Sequence, residues 1–417
     1  MSWWAKFLGD TRGNTTIVAA ICMPVVVGSV GLGAETSYWQ FKQRQMQTAV
    51  DMAAYTGAVS LRNNEAPQQA RNEAAQEAVL HRFDPALGAL TTNTPPTSGS
   101  SQNDRAMEVV LTQSMDRLFS AIFGDTPIIF EVRAVAAFEE QSDACILALS
   151  HEASAAVDFF GNSNVALINC EVMSNSIASD AVSLGGSTDV EAPCFNSVGG
   201  FEISGGSADY ELTGCTAPRV DLPRALDPYA DVPTPFLPSG CSNIPGGPPG
   251  NTTTVSAGAG GVKRFCNGLN LTGDYVFEPG VYIIDGGQFR AGGQANITGE
   301  GVTFYTTGGA RIAFNGTAEI NLTAPTTGDY AGLVFFGDRD DYGENHTFNG
   351  TADSTITGAI YLPAGDISFQ GDFSGDNGCM QLVGNTVAFG GNANISTDCS
   401  DTGIDYAEVP GDVRLVE

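Results

Sequence analysis

The distribution of hydrophobic residues sets one segment near the start of the chain apart from the rest. Residues 15–34 contain no charged side chain, and a helix of that length spans roughly the 30 Å hydrocarbon core of a bilayer. Trp4 precedes the segment and Trp39 follows it, as aromatic residues do at the two membrane interfaces. We predict a transmembrane helix over 15–34 and a cytoplasmic N-terminus over 1–14. The alternative is a cleaved signal peptide, although the segment exceeds the usual stretch of about 7–15 apolar residues.

A helical pattern continues beyond the hydrophobic segment. Over 40–61, apolar and small residues recur at helical spacing, among them Met46, Ala49, Ala53 and Gly57. Small residues on one face of a helix permit close packing against a second helix. That second helix belongs either to the same chain or to an assembly partner, and the pattern leaves both interpretations open.

A small mixed module follows this stem. Pro67 opens a second helix that is rich in Ala, Gln and Glu. The alternating patterns predict strands over 106–113 and 128–138, with a short helix over 114–123 between them. Together these elements predict a helical stem and a small α/β module over 35–140.

Beyond this module the pattern changes to short alternating strands separated by turns rich in Gly and Asn. The steps between the central glycines of related segments are 23, 34, 21 and 20 residues, from position 293 to position 391. A recurring unit of about 20 residues is typical of a β-solenoid, in which each unit forms one coil. The predicted fold is therefore mainly β: a right-handed parallel β-solenoid, or β-helix, preceded by the transmembrane helix and the α/β module. A β-sandwich is the alternative.

A proline-rich stretch divides these repeats into two groups. We predict a first set of solenoid repeats over 141–217 and a second set over 267–417. Between them, 218–266 is predicted to be a proline-rich insertion that the Cys241–Cys266 disulfide closes.

The chain has nine cysteines, and their placement bears on the compartment. Cys22 lies in the hydrophobic segment, and the other eight follow it without any CxxC spacing. An even number of cysteines beyond a membrane segment predicts disulfides in an oxidising compartment, so the chain after the helix is expected outside the cytoplasm. Stacked coils lie about 4.8 Å apart, which brings cysteines on successive coils within disulfide range. The predicted pairs are Cys145–Cys170, Cys194–Cys215, Cys241–Cys266 and Cys379–Cys399.

The formal net charge of −29 limits the possible partners. So acidic a chain is repelled by phosphate backbones, and we expect no nucleic-acid binding. The three histidines, His81, His151 and His346, are widely spaced, so they are interpreted as ordinary surface residues and not as a metal site.

One acidic cluster is a candidate for chemistry. It contains Asp338, Asp340, Asp341 and Glu344, with Arg339 among them, in an apparent loop insertion where functional residues tend to gather. The ordinary interpretation is a solvated acidic loop. The alternatives are a calcium site, which would make calcium the only cofactor, and a carboxylate centre acting on glycans.

The first 62 residues resemble the N-terminal segment of the TadE/TadG-like proteins of Flp (tight-adherence) pilus assembly. The resemblance rests on Arg12-Gly13-Asn14, on the apolar run with Met23-Pro24 inside it, and on the Ala-rich stretch 43–58. Later segments, such as PGVYIIDGG at 279–287, resemble TadG-related proteins with Gly-rich repeat bodies. Processed pilins of this group carry a Glu where this chain has Val18, so the resemblance implies a permanent anchor. The D-x-S-x-S metal motif of many TadG-like proteins does not occur in the sequence.

The resemblance implies a function and a location. The function is that of a membrane-anchored, non-enzymatic, extracytoplasmic component of Flp pilus assembly, held in the bacterial inner membrane by a single span. Its expected partners are other Flp pilus proteins, reached through the 40–61 helix or the solenoid surface. The alternatives are a surface adhesin or cell-envelope structural protein and, third, a glycan-acting β-helix enzyme.

Overall fold

The chain divides into two compact units. A computed structural model describes residues 14–63, 65–138, 141–244, 251–351, 354–370, 373–396 and 402–417. Met1–Glu140 and Gly411–Glu417 form what we call the N-terminal unit, and Gln141–Pro410 form the solenoid unit. The last seven residues, which the repeat pattern assigned to the second solenoid set, thus group with the N-terminal unit.

Helices are found in the N-terminal unit, and strands make up most of the solenoid unit. Helix α1 spans Asn14–Arg62, α2 spans Pro67–Leu80, and a 3₁₀ helix spans Phe119–Ile122. In chain order the strands are β1 Gly88–Asn93, β2 Ala106–Met115, β3 Ile128–Phe138, β4 Ser142–Ala148, β5 Val157–Phe159, β6 Asn164–Ile168, β7 Glu171–Ser174, β8 Val182–Gly185, β9 Asp189–Ala192, β10 Phe195–Ser197, β11 Phe201–Ser204, β12 Asp209–Leu212, β13 Thr253–Val255, β14 Val262–Cys266, β15 Leu269–Leu271, β16 Asp274–Phe277, β17 Gly280–Asp285, β18 Gln288–Ala291, β19 Asn296–Glu300, β20 Val302–Thr307, β21 Arg311–Phe314, β22 Glu319–Thr323, β23 Leu333–Gly337, β24 Asn345–Phe348, β25 Thr355–Phe369, β26 Phe373–Phe389, β27 Ala393–Ser396, β28 Ala407–Val409 and β29 Val413–Leu415.

The N-terminal unit contains a four-stranded antiparallel sheet in the order β1-β2-β3-β29. The β2–β3 ladder continues to the pair Met115 and Ile128, so β2 runs further than the pattern predicted. The helix predicted over 114–123 was therefore wrong in its first part, because strand pairing holds that part extended. Within the predicted helix, only Phe119–Ile122 are helical, and they form a 3₁₀ helix.

The core of the N-terminal unit lies where the second half of α1 meets α2 and the sheet. Ala53 and Ala74 are fully buried here, together with Met107 of β2. A Cβ atom placed on Gly57 would lie 2.7 Å from the Met107 side chain, so glycine allows α1 to approach the sheet closely. The small residues that the sequence offered as a docking face thus pack within the chain.

The solenoid unit is built from parallel strands stacked coil on coil, as predicted. One coil consists of β16, β17 and β18, and the next consists of β19, β20 and β21. Equivalent residues lie in register, so that Tyr282 of one coil pairs with Phe304 of the next. Alternate side chains point inward and form one long hydrophobic cluster, which gives strands such as β18 and β22 their alternation of buried and more exposed positions.

The two groups of repeats form one continuous stack, but the chain does not run through it in sequence order. Strand β26, near the end of the second group, pairs with β4 and β5, which begin the first group. Leu382 lies beside Ile146, and Phe389 lies beside Phe159. Strand β27 likewise pairs with β6. We call this contact between the late coil and the early coil the junction.

A column of phenylalanine rings crosses the junction. The ring centroids of Phe348 and Phe369 are 5.3 Å apart, those of Phe369 and Phe389 are 5.8 Å apart, and those of Phe389 and Phe159 are 5.1 Å apart. Stacked aromatic rings at such spacings add to the energy of burial alone. The column therefore joins the two repeat groups through one shared core.

The proline-rich stretch becomes a connection along the side of the stack. We call residues 216–244 the strap. Its Ala225 exchanges two hydrogen bonds with the Asn175 side chain, and its Tyr229 hydroxyl donates to Gln381 at 2.5 Å. Since Asn175 and Gln381 belong to different coils, the strap crosses several coils before the chain re-enters the stack at β13. The coils therefore resume at Thr253, earlier than the predicted boundary at residue 267.

Three disulfides are present among the described residues, and they join three of the four predicted pairs. They are Cys145–Cys170, Cys194–Cys215 and Cys241–Cys266, with Cα–Cα distances of 5.4, 5.4 and 5.5 Å. For the fourth predicted pair, Cys379–Cys399, the second cysteine lies outside the described residues. Cys22 is a free, exposed cysteine on α1.

Candidate functional site

The acidic cluster lies in the loop between β23 and β24, where Asp338, Asp341 and Glu344 each bond to a different residue of the protein. The Thr307 hydroxyl donates to Asp338 at 2.6 Å, and the backbone N–H of Gly309 donates to Asp341 at 2.8 Å. Glu344 forms an ion pair with Arg311 at 2.6 Å. These bonds anchor the loop to the preceding coil, while Asp340 points to solvent.

Two of these carboxyl groups have shifted pKa values of opposite sign. Burial raises the pKa of Asp341, and the neighbouring Asp338, Glu344 and Asp285 raise it further. Burial acts the same way on Asp338, but hydrogen bonds from Thr307 and from the Asp340 N–H outweigh it and lower that pKa. The structure therefore brings Asp338 and Asp341 close enough to interact electrostatically.

His346 lies beneath this loop and was wrongly interpreted as a surface residue. It is buried on β24, and its Nδ1 accepts the backbone N–H of Ile312 at 3.2 Å. Burial lowers the pKa of His346 to about 4, so the ring is neutral at pH 7. With Asp338 and Asp341 it lines a cavity of about 10 Å³, which is the size of one water molecule.

No group of three or more His, Cys, Asp or Glu side chains in the described part of the chain is arranged to hold a metal ion. Calcium binding by Asp338, Asp340, Asp341 and Glu344 stays a prediction.

Arg339, the cation within the acidic cluster, fastens the strap. Its Nε donates to the Tyr361 hydroxyl at 3.0 Å, and its Nη2 donates to the carbonyls of Tyr229 and Val232. Its guanidinium also lies over the rings of Phe336 and Tyr361, at 5.1 and 5.4 Å from their centroids. The sequence placed Arg339 in a possible catalytic group, whereas here its hydrogen bonds hold two chain segments together.

We expect Arg339→Ala to loosen the strap, because two carbonyls and a hydroxyl then lose the donor of their hydrogen bond. The free energy needed to open the strap should fall by about 1–3 kcal/mol. Trypsin should therefore cut after Arg224 in the strap roughly tenfold faster. Arg290→Ala is the matched control, because Arg290 is exposed on β18 and its replacement also removes one trypsin site. Equal cleavage rates in the two variants would contradict this role.

The two halves of helix α1 differ in how far their apolar side chains are exposed. The side chains of Val18, Ile21, Met23 and Val30 are 56–68% exposed, although they are apolar. α1 is the one helix in the described residues that is long and apolar enough to cross a membrane, although a signal sequence has the same properties. An apolar surface of this length fits a membrane anchor.

The second half of α1 has a buried face and an exposed face. Because its small residues are covered within the N-terminal unit, an assembly partner has access only to the opposite side. That side presents Phe41, Met52 and Tyr55, which are 61%, 39% and 42% exposed. These three positions follow helical spacing, and we call them the stem stripe.

Two buried carboxylates in the N-terminal unit were not predicted from the sequence. Glu35 accepts the backbone N–H groups of Leu118 and Ser120 at 2.6 and 2.7 Å. Glu108 accepts hydrogen bonds from Thr97 and, at 2.7 Å, from Arg133 Nε. Their partners are 11 to 85 residues away in sequence, so no local pattern marks either carboxylate.

A stacked β body that follows a long apolar helix defines a β-solenoid protein with a candidate membrane anchor. Residues 13–60 match the family model described as putative Flp pilus-assembly TadE/G-like. The match covers the apolar segment and the stem, which is where the sequence resembles that family, and it ends before the solenoid. No curated protein and no solved structure matches the chain.

Proposed function

We propose that this protein is a membrane-anchored, non-enzymatic component of Flp pilus assembly. The solenoid unit and the part of the N-terminal unit that follows the apolar segment lie outside the cytoplasm. The observation that carries the proposal is the family match over 13–60, which coincides with the helix whose apolar half is exposed. The apolar half holds the protein in the bacterial inner membrane. The solenoid serves as an extracytoplasmic interaction surface.

Two observations support the extracytoplasmic and non-enzymatic parts of this proposal. Disulfides persist in oxidising compartments, and the solenoid unit contains three of them among its described residues. In the acidic loop, Asp338, Asp341 and Glu344 bond to the neighbouring coil and Arg339 bonds to the strap. Side chains occupied in this way support a structural role for the loop.

The stem stripe is the surface that we assign to contacts with other pilus proteins. It lies within the matched segment, and its side chains are apolar or aromatic, exposed and spaced along one side of a helix. An apolar helical face of this kind fits a groove on a partner protein.

Complementation of a gene deletion tests the function. We expect the deletion to abolish pili and surface attachment, and the wild-type gene to restore both. Phe41→Ser with Tyr55→Ser should fail to restore pili although the protein accumulates normally. Leu80→Ser is the control, because Leu80 is 75% exposed on α2 and lies outside the matched segment. Normal piliation in the deletion strain would refute the proposal, and lost attachment with intact pili would favour an adhesin.

A further inference from the structure

One apolar segment of the N-terminal unit is exposed on the surface. We call residues 118–123, with the sequence LFSAIF, the apolar loop; it connects β2 to β3. Its side chains Leu118, Phe119, Ile122 and Phe123 are 58%, 48%, 86% and 80% exposed. A cluster of large apolar side chains in water is unfavourable and marks a surface that something covers.

The apolar loop is attached to α1 by specific hydrogen bonds. The Glu35 carboxylate is only 1% exposed and accepts the N–H groups of Leu118 and Ser120, as described above, and also the Ser120 hydroxyl at 2.9 Å. Removing Glu35 would leave two backbone donors without an acceptor. The carboxylate therefore fixes where along the helix the apolar loop sits.

The apolar loop also packs closely against α1 at Gly31, one helical turn before Glu35. A Cβ atom placed on Gly31 would lie 2.5 Å from a ring carbon of Phe119, so the aromatic ring lies directly on the helix backbone. Gly31 belongs to the uncharged segment 15–34 and lies about 4.5 Å along the helix axis from its end at Ala34. The Phe119 ring is thus level with the last turn of the hydrophobic segment.

The charged residues on both sides of the apolar loop are placed as expected for a segment at the membrane boundary. No charged residue occurs from Leu118 to Gly124, whereas Asp116 and Arg117 precede this stretch and Asp125 follows it. A short apolar stretch between charged ends fits the boundary between the headgroups and the hydrocarbon of a bilayer. A groove on a soluble partner would require no alignment with the end of the hydrophobic segment.

We propose that the apolar loop inserts into the outer leaflet of the membrane that α1 spans, with Leu118, Phe119, Ile122 and Phe123 among the lipid chains. Glu35 and Gly31 hold the loop at that depth. The N-terminal unit then contacts the membrane at two points, which fixes its tilt relative to the bilayer more firmly than one helix does. This inference rests on the proposed membrane anchoring.

Spin labelling of the full-length protein in phosphatidylethanolamine and phosphatidylglycerol vesicles tests the proposal. Labels are placed one at a time on native Cys22, on Ile122→Cys and on Asp104→Cys, the last two in a Cys22→Ala background. Asp104 is exposed in the β1–β2 connection and serves as the aqueous reference. Relaxation by oxygen, which dissolves in hydrocarbon, is compared with relaxation by a polar nickel chelate.

We expect the labels at Ile122 and Cys22 to be relaxed by oxygen and roughly tenfold less by nickel than the label at Asp104, because hydrocarbon excludes polar solutes. Strong nickel relaxation at Ile122 with Cys22 protected would overturn the insertion and leave the anchor intact. Protection of Ile122 from both reagents would also overturn it, since protein would then cover the apolar loop. Strong nickel relaxation at Cys22 would instead refute the anchoring.

Discussion

Phe389→Ala should lower the free energy of unfolding of the solenoid unit by about 3–5 kcal/mol. Phe389 is fully buried at the junction, where its ring stacks between Phe369 and Phe159. Its removal opens a cavity between the late coil and the early coil. Because the chain does not run directly from one of these coils to the other, side-chain packing and the strand ladder hold them together.

Denaturant unfolding followed with two probes can show which of the two units is destabilised. All three tryptophans precede the solenoid unit in sequence, and Trp39 packs against the core of the N-terminal unit, so changes in tryptophan fluorescence follow that unit. Far-ultraviolet circular dichroism follows both units, so the part of its transition that does not coincide with the fluorescence transition reports the solenoid strands. We expect Phe389→Ala to shift the circular dichroism transition alone, and Phe236→Ala, an 82% exposed control in the strap, to shift it by less than about 0.5 kcal/mol. An unshifted circular dichroism transition would show that the junction contributes little to the free energy of unfolding of the solenoid unit.

Glu108→Gln should destabilise the N-terminal unit by on the order of 3 kcal/mol at pH 7. The Glu108 carboxylate is fully buried and accepts hydrogen bonds from Asn93, Thr97 and Arg133. Burial by itself raises the pKa of Glu108, but the bonds from Thr97, Arg133 and Asn93 outweigh it and lower the pKa to about 2. A glutamine would direct its amide hydrogens at donors that need an acceptor.

The sign of the pH dependence follows from this lowered pKa. A carboxyl group that titrates near 2 when folded and near 4.3 when unfolded stabilises the fold fully above about pH 5. The contribution decreases as the pH falls from about 5 to about 2, where the folded protein also becomes protonated. Hydrogen bonds from Arg133 and Ser100 lower the pKa of Glu417 to about 2 as well, so part of the acid sensitivity remains in Glu108→Gln.

The measurement is denaturant unfolding between pH 7 and pH 3, followed by tryptophan fluorescence. We expect a weaker dependence on pH in Glu108→Gln than in the wild type. Glu131→Gln is the matched control, because Glu131 is an exposed carboxylate on β3 of the same sheet. If the two variants unfold alike at every pH, the buried network does not stabilise the unit.

Part of the structure could be predicted because it depends on local pattern. The apolar segment of α1 is recognisable from its composition, since a bilayer requires a continuous hydrophobic surface. The solenoid is recognisable because each coil repeats the same alternation and the same turns. Coil stacking also led to the pair Cys145–Cys170, because residues at equivalent positions on adjacent coils are brought together by the repeat itself.

The remainder depends on contacts between residues distant in sequence. The repeat pattern is the same whether the second group of coils follows the first or precedes it, so only the pairing of β26 with β4 decided their order. Arg339 lies among acidic residues in sequence, whereas its hydrogen bond to Val232 in the strap depends on folding. Hydrophobicity by itself determined that α1 has an apolar segment. Only the tertiary structure placed the apolar loop beside the end of that segment, because Glu35 and Leu118 meet through folding and not through sequence proximity.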